Sequence, residues 1–166
     1  MKIKRVAFLG LTIALAMIMS YIETLFPLNF AVPGIKMGLA NIVIIFVLYR
    51  MSFGDACIVS LVRVFLVSLL FGNVMALAYS LAGAALSLLV MYLLKKSDKF
   101  SVIGVSITGA VMHNVGQIVM AMIILHTSQL AYYMAVLMLS GILFGALTGV
   151  SATLVMKHMK HMKQWK

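Results

Sequence analysis

The sequence predicts an all-α fold, a polytopic membrane helix bundle of about six transmembrane helices. Hydrophobic residues make up 64% of the 166 residues, whereas soluble domains are about half apolar. Apolar stretches near the length that crosses a bilayer, ~20 residues, recur along the chain. The 13 lysines and arginines outnumber the three acidic residues and lie mostly at the ends of these stretches. Since they do not follow one face, we expect no nucleic-acid partner.

Six apolar segments are predicted to span the bilayer, and the first is expected to be retained. Its apolar stretch continues to Phe26 without a small-residue cleavage site followed by a polar region, unlike a signal peptide. Pro27 ends this segment, and "NFAVPG" separates it from the second. The second and third segments are short, near the lower limit of about 17 residues. The predicted segments are 6–26, 36–50, 55–71, 74–94, 101–125 and 130–156.

The later segments are separated by short polar or glycine-containing links. "RMSFGD" lies between the second and third segments, "LFGN" between the third and fourth, and "KKSDKF" before the fifth. With both termini in the cytoplasm, nearly all basic residues face the cytoplasm, as the positive-inside rule requires. We therefore predict a single domain, residues 1–156, in the bacterial plasma membrane. The basic residues 157–166 form a cytoplasmic tail, for which we predict no metal site.

Polar side chains inside the apolar segments are concentrated in their middle and outer parts. At about 1.5 Å per residue, Arg63 and His113 lie near the membrane centre and Gln117 lies one turn nearer the outside. An arginine at this depth costs about 2.5–3.5 kcal/mol on insertion scales, so it generally faces a partner or a wet cavity. Glu23 is the acidic residue placed to pair with it from the outer side. Asn114 and Gln117, three residues apart, share a helix face with His113.

We hypothesise that these residues surround an outward-facing pocket for a small molecule with an anionic or carbonyl-rich portion. Arg63, Lys36 and His113 would donate hydrogen bonds to the molecule. The side-chain amides of Asn41, Asn114 and Gln117 would fix its orientation. The alternative for each residue is an interhelical hydrogen bond, worth about 0.6 kcal/mol. The predicted ligand-binding residues are Glu23, Lys36, Asn41, Arg63, Tyr79, His113, Asn114 and Gln117.

The sequence offers no catalytic or metal-binding constellation. Metal-dependent chemistry on a diphosphate needs Mg²⁺ held by clustered carboxylates, whereas Glu23, Asp55 and Asp98 are dispersed along the chain. The sequence contains no glycine-rich loop of the kind that binds the phosphates of ATP. If the function of the chain depends on ATP, other subunits would have to hydrolyse it. The lone Cys57 matches no metal-ligand spacing. We therefore predict that the chain is not an enzyme and needs no cofactor.

Four stretches together resemble one known family. They are "VPGIKMGLANIVIIFVLY", "SLVRVFLVSLLFG", "YSLAGAALSLLVMYLLKK" and "IGVSITGAVMHNVGQ". The family is labelled heptaprenyl diphosphate synthase component I, also called the Gx transporter family, and the resemblance runs to about residue 155. This family is similar to the S components of energy-coupling factor transporters. Those are six-helix proteins that capture vitamins at the outer face and pair with a membrane coupling subunit and two ATPases.

The resemblance implies a ligand pocket at the outer ends of the helices and a coupling subunit with ATPases as partners. The family label implies an alternative, a non-catalytic membrane subunit that associates with a soluble prenyl synthase. The substrate stays open among vitamins, isoprenoids and quinone precursors. In both cases the lipid bilayer surrounds the chain.

Overall fold

A computed structural model describes residues 2–25 and 38–159, which form six α-helices and contain no strand. This confirms the predicted all-α bundle, and the helix ends differ from the predicted segment ends by only a few residues. Lys36 lies outside the described residues. The helices are α1 (Lys2–Leu25), α2 (Leu39–Arg50), α3 (Phe53–Phe71), α4 (Val74–Lys96), α5 (Val102–Leu125) and α6 (Ala131–His158).

Five of the six described helices are long and apolar enough to cross a membrane, as in a multi-pass membrane protein. The exception is α2, whose 12 residues extend about 18 Å at 1.5 Å per residue. A bilayer core is about 30 Å thick, so α2 alone covers little more than half of it. Its start is fixed by Gly38, whose φ of 71° is easily adopted only by glycine.

Three helices begin at side chains that cap their free N–H groups. Ser52 and Asp55 form a reciprocal capping box at the start of α3. The Asn73 side chain accepts a hydrogen bond of 2.8 Å from the Ala76 N–H at the start of α4, and Ser101 caps α5 in the same way. Such caps satisfy N–H groups that would otherwise lack partners. They explain why turns of only a few residues suffice between α2, α3 and α4.

One end of the bundle, which we call the basic end, contains the first turns of α1, α3 and α5 and the last turns of α2, α4 and α6. Arg5 Nη2 lies 2.8 Å from both carboxylate oxygens of Asp55. Arg50 donates hydrogen bonds of 2.6 and 3.1 Å to two carbonyls at the end of α6. Lys95 donates one of 2.5 Å to a carbonyl in the last turn of α2. Cations are favourable at helix C-termini, so these residues hold the helix ends together.

The apolar core lies toward the basic end. It is built mainly on α2, and its buried members are Ala16, Ile44, Ile45, Phe46, Val47, Leu48, Met51, Ala56, Val59, Leu88, Met91, Val105 and Ala152. Large apolar side chains are exposed along the whole bundle, for example Ile3 and Leu154 near the basic end and Leu70 and Tyr132 near the opposite end. The buried apolar core is thus concentrated near the end where the chain carries its positive charge.

Helices α4, α5 and α6 pack closely through glycine and serine, and we call them the α4–α6 unit. A Cβ on Gly116 would lie 2.9 Å from the Ala82 carbonyl oxygen on α4. The Ser87 hydroxyl donates a hydrogen bond of 2.8 Å to the Gly109 carbonyl, and Ser106 donates one of 2.7 Å to Gly145. Small residues let helix backbones approach and let hydroxyls bond across the interface.

We expect Gly145→Ala to destabilise the protein by about 1–3 kcal/mol, the usual cost of overpacking. The new Cβ would lie 2.7 Å from Ile107 Cα, which is backbone and cannot rotate away. The matched control is Gly10→Ala on α1, where nothing lies within 4 Å. This control should leave stability unchanged or raise it by up to about 1 kcal/mol. Reversible unfolding in detergent, followed by circular dichroism, measures both. Equal effects at the two sites would contradict close α5–α6 packing.

Candidate functional site

The structure distributes the described members of the predicted ligand-binding set over two parts of the bundle. Three of them belong to α1, α2 and α3, and these are Glu23, Asn41 and Arg63. Four belong to the α4–α6 unit, and these are Tyr79, His113, Asn114 and Gln117. In the described helices α3 packs against α1, α2 and α4, whereas α5 packs mainly against α4 and α6. That both groups contact one ligand stays a prediction.

Arg63 on α3 is directed toward α1. Its Nη1 donates a hydrogen bond of 3.2 Å to the Ser20 hydroxyl, and its guanidinium interacts electrostatically with Glu23. Its Nε is buried and has no hydrogen-bond partner among the described residues. An unsatisfied buried donor costs free energy. Arg63 therefore has a counter-charge within the bundle, Glu23, while its Nε–H remains available as a hydrogen-bond donor.

The Glu23 carboxylate also caps α2. Oε1 accepts hydrogen bonds from the backbone N–H groups of Gly38 and Leu39, at the helix end where negative charge is favourable. Gly38 has no side chain that could cap the helix. The Asn41 amide lies beside it, 3.3 Å from the position of a Cβ on Gly38. Through its two hydrogen bonds, Glu23 holds the start of α2 against α1.

A cavity of about 520 Å³ lies in the α4–α6 unit, in its half farther from the basic end. It is lined by Ala76, Tyr79, Ser80, Gln117, Ile118, Ala121, Leu125, Leu130, Tyr133 and Leu137. Small-molecule sites typically measure 300–1,000 Å³ and are mostly apolar with a few polar groups. The cavity has both properties. Of the predicted residues, Tyr79 and Gln117 line it.

His113 and Asn114 lie at helix contacts next to this cavity. A Cβ on Gly83 of α4 would be 2.7 Å from the His113 carbonyl oxygen and 3.2 Å from its ring Cε1. The Asn114 amide donates a hydrogen bond of 2.6 Å to the carbonyl of Leu137, a residue of the cavity wall. The polar edge predicted on α5 is therefore divided, since His113 faces α4 and Asn114 faces α6.

Two polar residues of the cavity lie outside the predicted set. Ser80 follows Tyr79 directly and is partly buried. Tyr133 belongs to the first turn of α6, in a pair of tyrosines. Such a pair at a helix end is typical of the aromatic belt at a membrane interface. No sequence signal distinguishes a tyrosine of that belt from one that lines a cavity.

The similarity of the chain to known proteins extends over nearly its whole length. A family profile described as heptaprenyl diphosphate synthase component I matches residues 12–155. The chain belongs to this component I family. Neither a curated protein nor a solved structure matches the chain significantly. In this component I protein, residues 2–25 and 38–159 contain no group of three His, Cys, Asp or Glu side chains that could hold a metal ion.

Proposed function

We propose that the chain is the substrate-binding membrane subunit of a transporter, similar to an S component of an energy-coupling factor transporter. It captures a small molecule in the cavity between α4, α5 and α6. The observation that carries the proposal is this cavity of about 520 Å³, with neutral polar groups on apolar walls. Its size and composition are those of a small-molecule site rather than of a packing gap.

The charge distribution supports an outward-facing site. Lys95, Lys96 and Arg50 lie in the last turns of their helices at the basic end. By the positive-inside rule this end faces the cytoplasm, in a bacterial plasma membrane with both termini inside. The cavity lies farther from that end and would open toward the exterior. A coupling subunit and ATPases would then engage the chain from the membrane and from the cytoplasm.

Purification from native membranes in a mild detergent tests the transport role. We expect a second membrane protein and two ATPase subunits to co-purify with the chain, together with a retained small molecule that mass spectrometry identifies. Recovery of the chain without any ATPase would contradict the proposal.

Filling the cavity should remove the retained compound. Ala121 lines the cavity, and in Ala121→Trp an indole would occupy part of its 520 Å³. We expect the variant to fold and to retain less than about a tenth of the wild-type amount of the compound. The indole would occupy space that the compound needs, and a loss of about 1.4 kcal/mol in binding free energy already lowers affinity tenfold. The matched control is Ala135→Trp on the exposed face of α6, which should retain the compound fully. Equal retention by both variants would exclude this cavity as the binding site.

The family description favours a second candidate function. The chain would be a non-catalytic membrane subunit that associates with a heptaprenyl diphosphate synthase. The two carboxylates Glu23 and Asp55 already serve as a helix cap and an ion-pair partner, which fits an accessory role. The same purification separates the candidates, because this one predicts a soluble prenyl synthase in place of the ATPases.

A further inference from the structure

We infer that the compound bound in the cavity is electrically neutral, mostly apolar and ring-containing. This inference rests on the proposed function and specifies the substrate class of the same site. It departs from the sequence-based hypothesis of an anionic portion held by Arg63. That guanidinium contacts Ser20 and interacts with Glu23 on α1, and Arg63 is not among the residues that line the cavity.

The absence of charge on the described lining residues is the reason to expect a neutral compound. Each described residue of the cavity wall is uncharged, and the polar ones are Tyr79, Ser80, Gln117 and Tyr133. An ion moved from water into such a site without an opposite charge loses its hydration and gains little in return. A carboxylate, phosphate or ammonium group would therefore be disfavoured, whereas a neutral molecule would not.

The side chains of the lining also indicate which chemical groups the compound contains. The Gln117 amide and the Ser80 hydroxyl each donate and accept hydrogen bonds, which suits carbonyl and hydroxyl groups. The two tyrosines of the lining come from α4 and α6, and flat rings stack favourably on tyrosine side chains. The other lining residues are Ala, Ile and Leu, so most of the bound molecule contacts hydrocarbon.

A matched pair of aromatic probes tests the charge requirement. 2-Naphthol and 2-naphthoate share one ring system, but at neutral pH only the second is charged. We expect 2-naphthol to raise the unfolding midpoint of the full chain in detergent and to have no such effect on Ala121→Trp. 2-Naphthoate should raise neither midpoint. Stabilisation by 2-naphthoate that disappears in Ala121→Trp would overturn the inference, and so would the absence of stabilisation by either probe.

Substitutions of Gln117 test the hydrogen-bonding group. Gln117→Leu should weaken 2-naphthol binding about five- to tenfold, since one buried hydrogen bond is lost. Gln117→Glu and Gln117→Lys should both weaken it at least as much, because either charge would be buried. The control is Gln129→Leu, an exposed residue between α5 and α6, which should bind normally. Unchanged binding by Gln117→Leu, or tighter binding of 2-naphthoate by Gln117→Lys, would contradict the assignment.

The two proposals fail in different ways. Co-purification of ATPases together with binding of 2-naphthoate in the cavity would preserve the transport role and refute the neutral ligand. Cavity-dependent 2-naphthol binding without ATPase partners would refute the transport role and preserve the ligand class.

Discussion

Replacement of Arg63 by methionine is expected to destabilise the protein by about 1–3 kcal/mol, because it removes the charged hydrogen bond to Ser20 and a favourable interaction with Glu23. Methionine keeps much of the side-chain volume but removes the charge that interacts with Glu23. The Glu23 carboxylate would then cap α2 without the positive charge of Arg63. Equilibrium unfolding in mixed detergent micelles, with circular dichroism as the signal, measures the change.

A double-mutant cycle with Glu23→Gln shows whether the two side chains act together. We expect the double variant to lose less stability than the sum of the single losses, by about 0.5–3 kcal/mol. Strict additivity would mean that the pair contributes no coupling. Unchanged stability of Arg63→Met, combined with loss of the retained compound, would instead indicate that Arg63 contacts the ligand, as the sequence-based hypothesis has it.

Asp55→Ala is expected to cost about 1–3 kcal/mol, because it removes both a helix cap and an ion pair whose arginine is half-exposed. Asp55 is 2% exposed. It accepts hydrogen bonds from the Ser52 N–H and hydroxyl at 3.2 and 2.8 Å, and it pairs with Arg5. Loss of the side chain would remove this ionic contact between α1 and the start of α3. The same unfolding measurement applies.

The chain offers a matched control for this loss of negative charge. Asp98 is exposed in the turn after α4, and its φ of 51° is one that asparagine also tolerates. Asp98→Asn should change stability by less than about 0.5 kcal/mol, whereas Asp55→Asn should be clearly destabilising. Equal losses would show that overall charge, rather than the local contacts of Asp55, sets the stability.

The helix positions were predictable because the apolar stretches end at glycine or at polar residues. Gly72 and Asn73 lie between α3 and α4, and Ser97 and Asp98 follow α4, close to the predicted ends. The length of α2 was not predictable from hydropathy, since Met37 and Gly38 do not interrupt the apolar pattern. Its start depends on the conformation of Gly38 and on a cap from Glu23, 15 residues earlier.

The polar side chains stand out within the apolar segments of the sequence, but their contact partners were not predictable from it. Spacing along one helix places Asn114 and Gln117 on a shared edge, yet the neighbouring helices decide what each contacts. Asn114 binds an α6 carbonyl, and Gln117 lines the cavity. The sequence also contains two patterns that indicate local contacts. Ser52 and Asp55 have capping-box spacing, and three α6 glycines, at 141, 145 and 149, have four-residue spacing.

The contacts at the basic end have a consequence for motion. Arg50 and Lys95 fasten α2 to α6 and α4 there, and the Arg5–Asp55 pair fastens α1 to α3, while the buried apolar core also lies toward this end. Segments with few buried contacts open at the lowest free energy. If the chain captures a ligand as proposed, we therefore expect the helices to rearrange in the half of the bundle farther from the basic end. The half at the basic end would keep its structure.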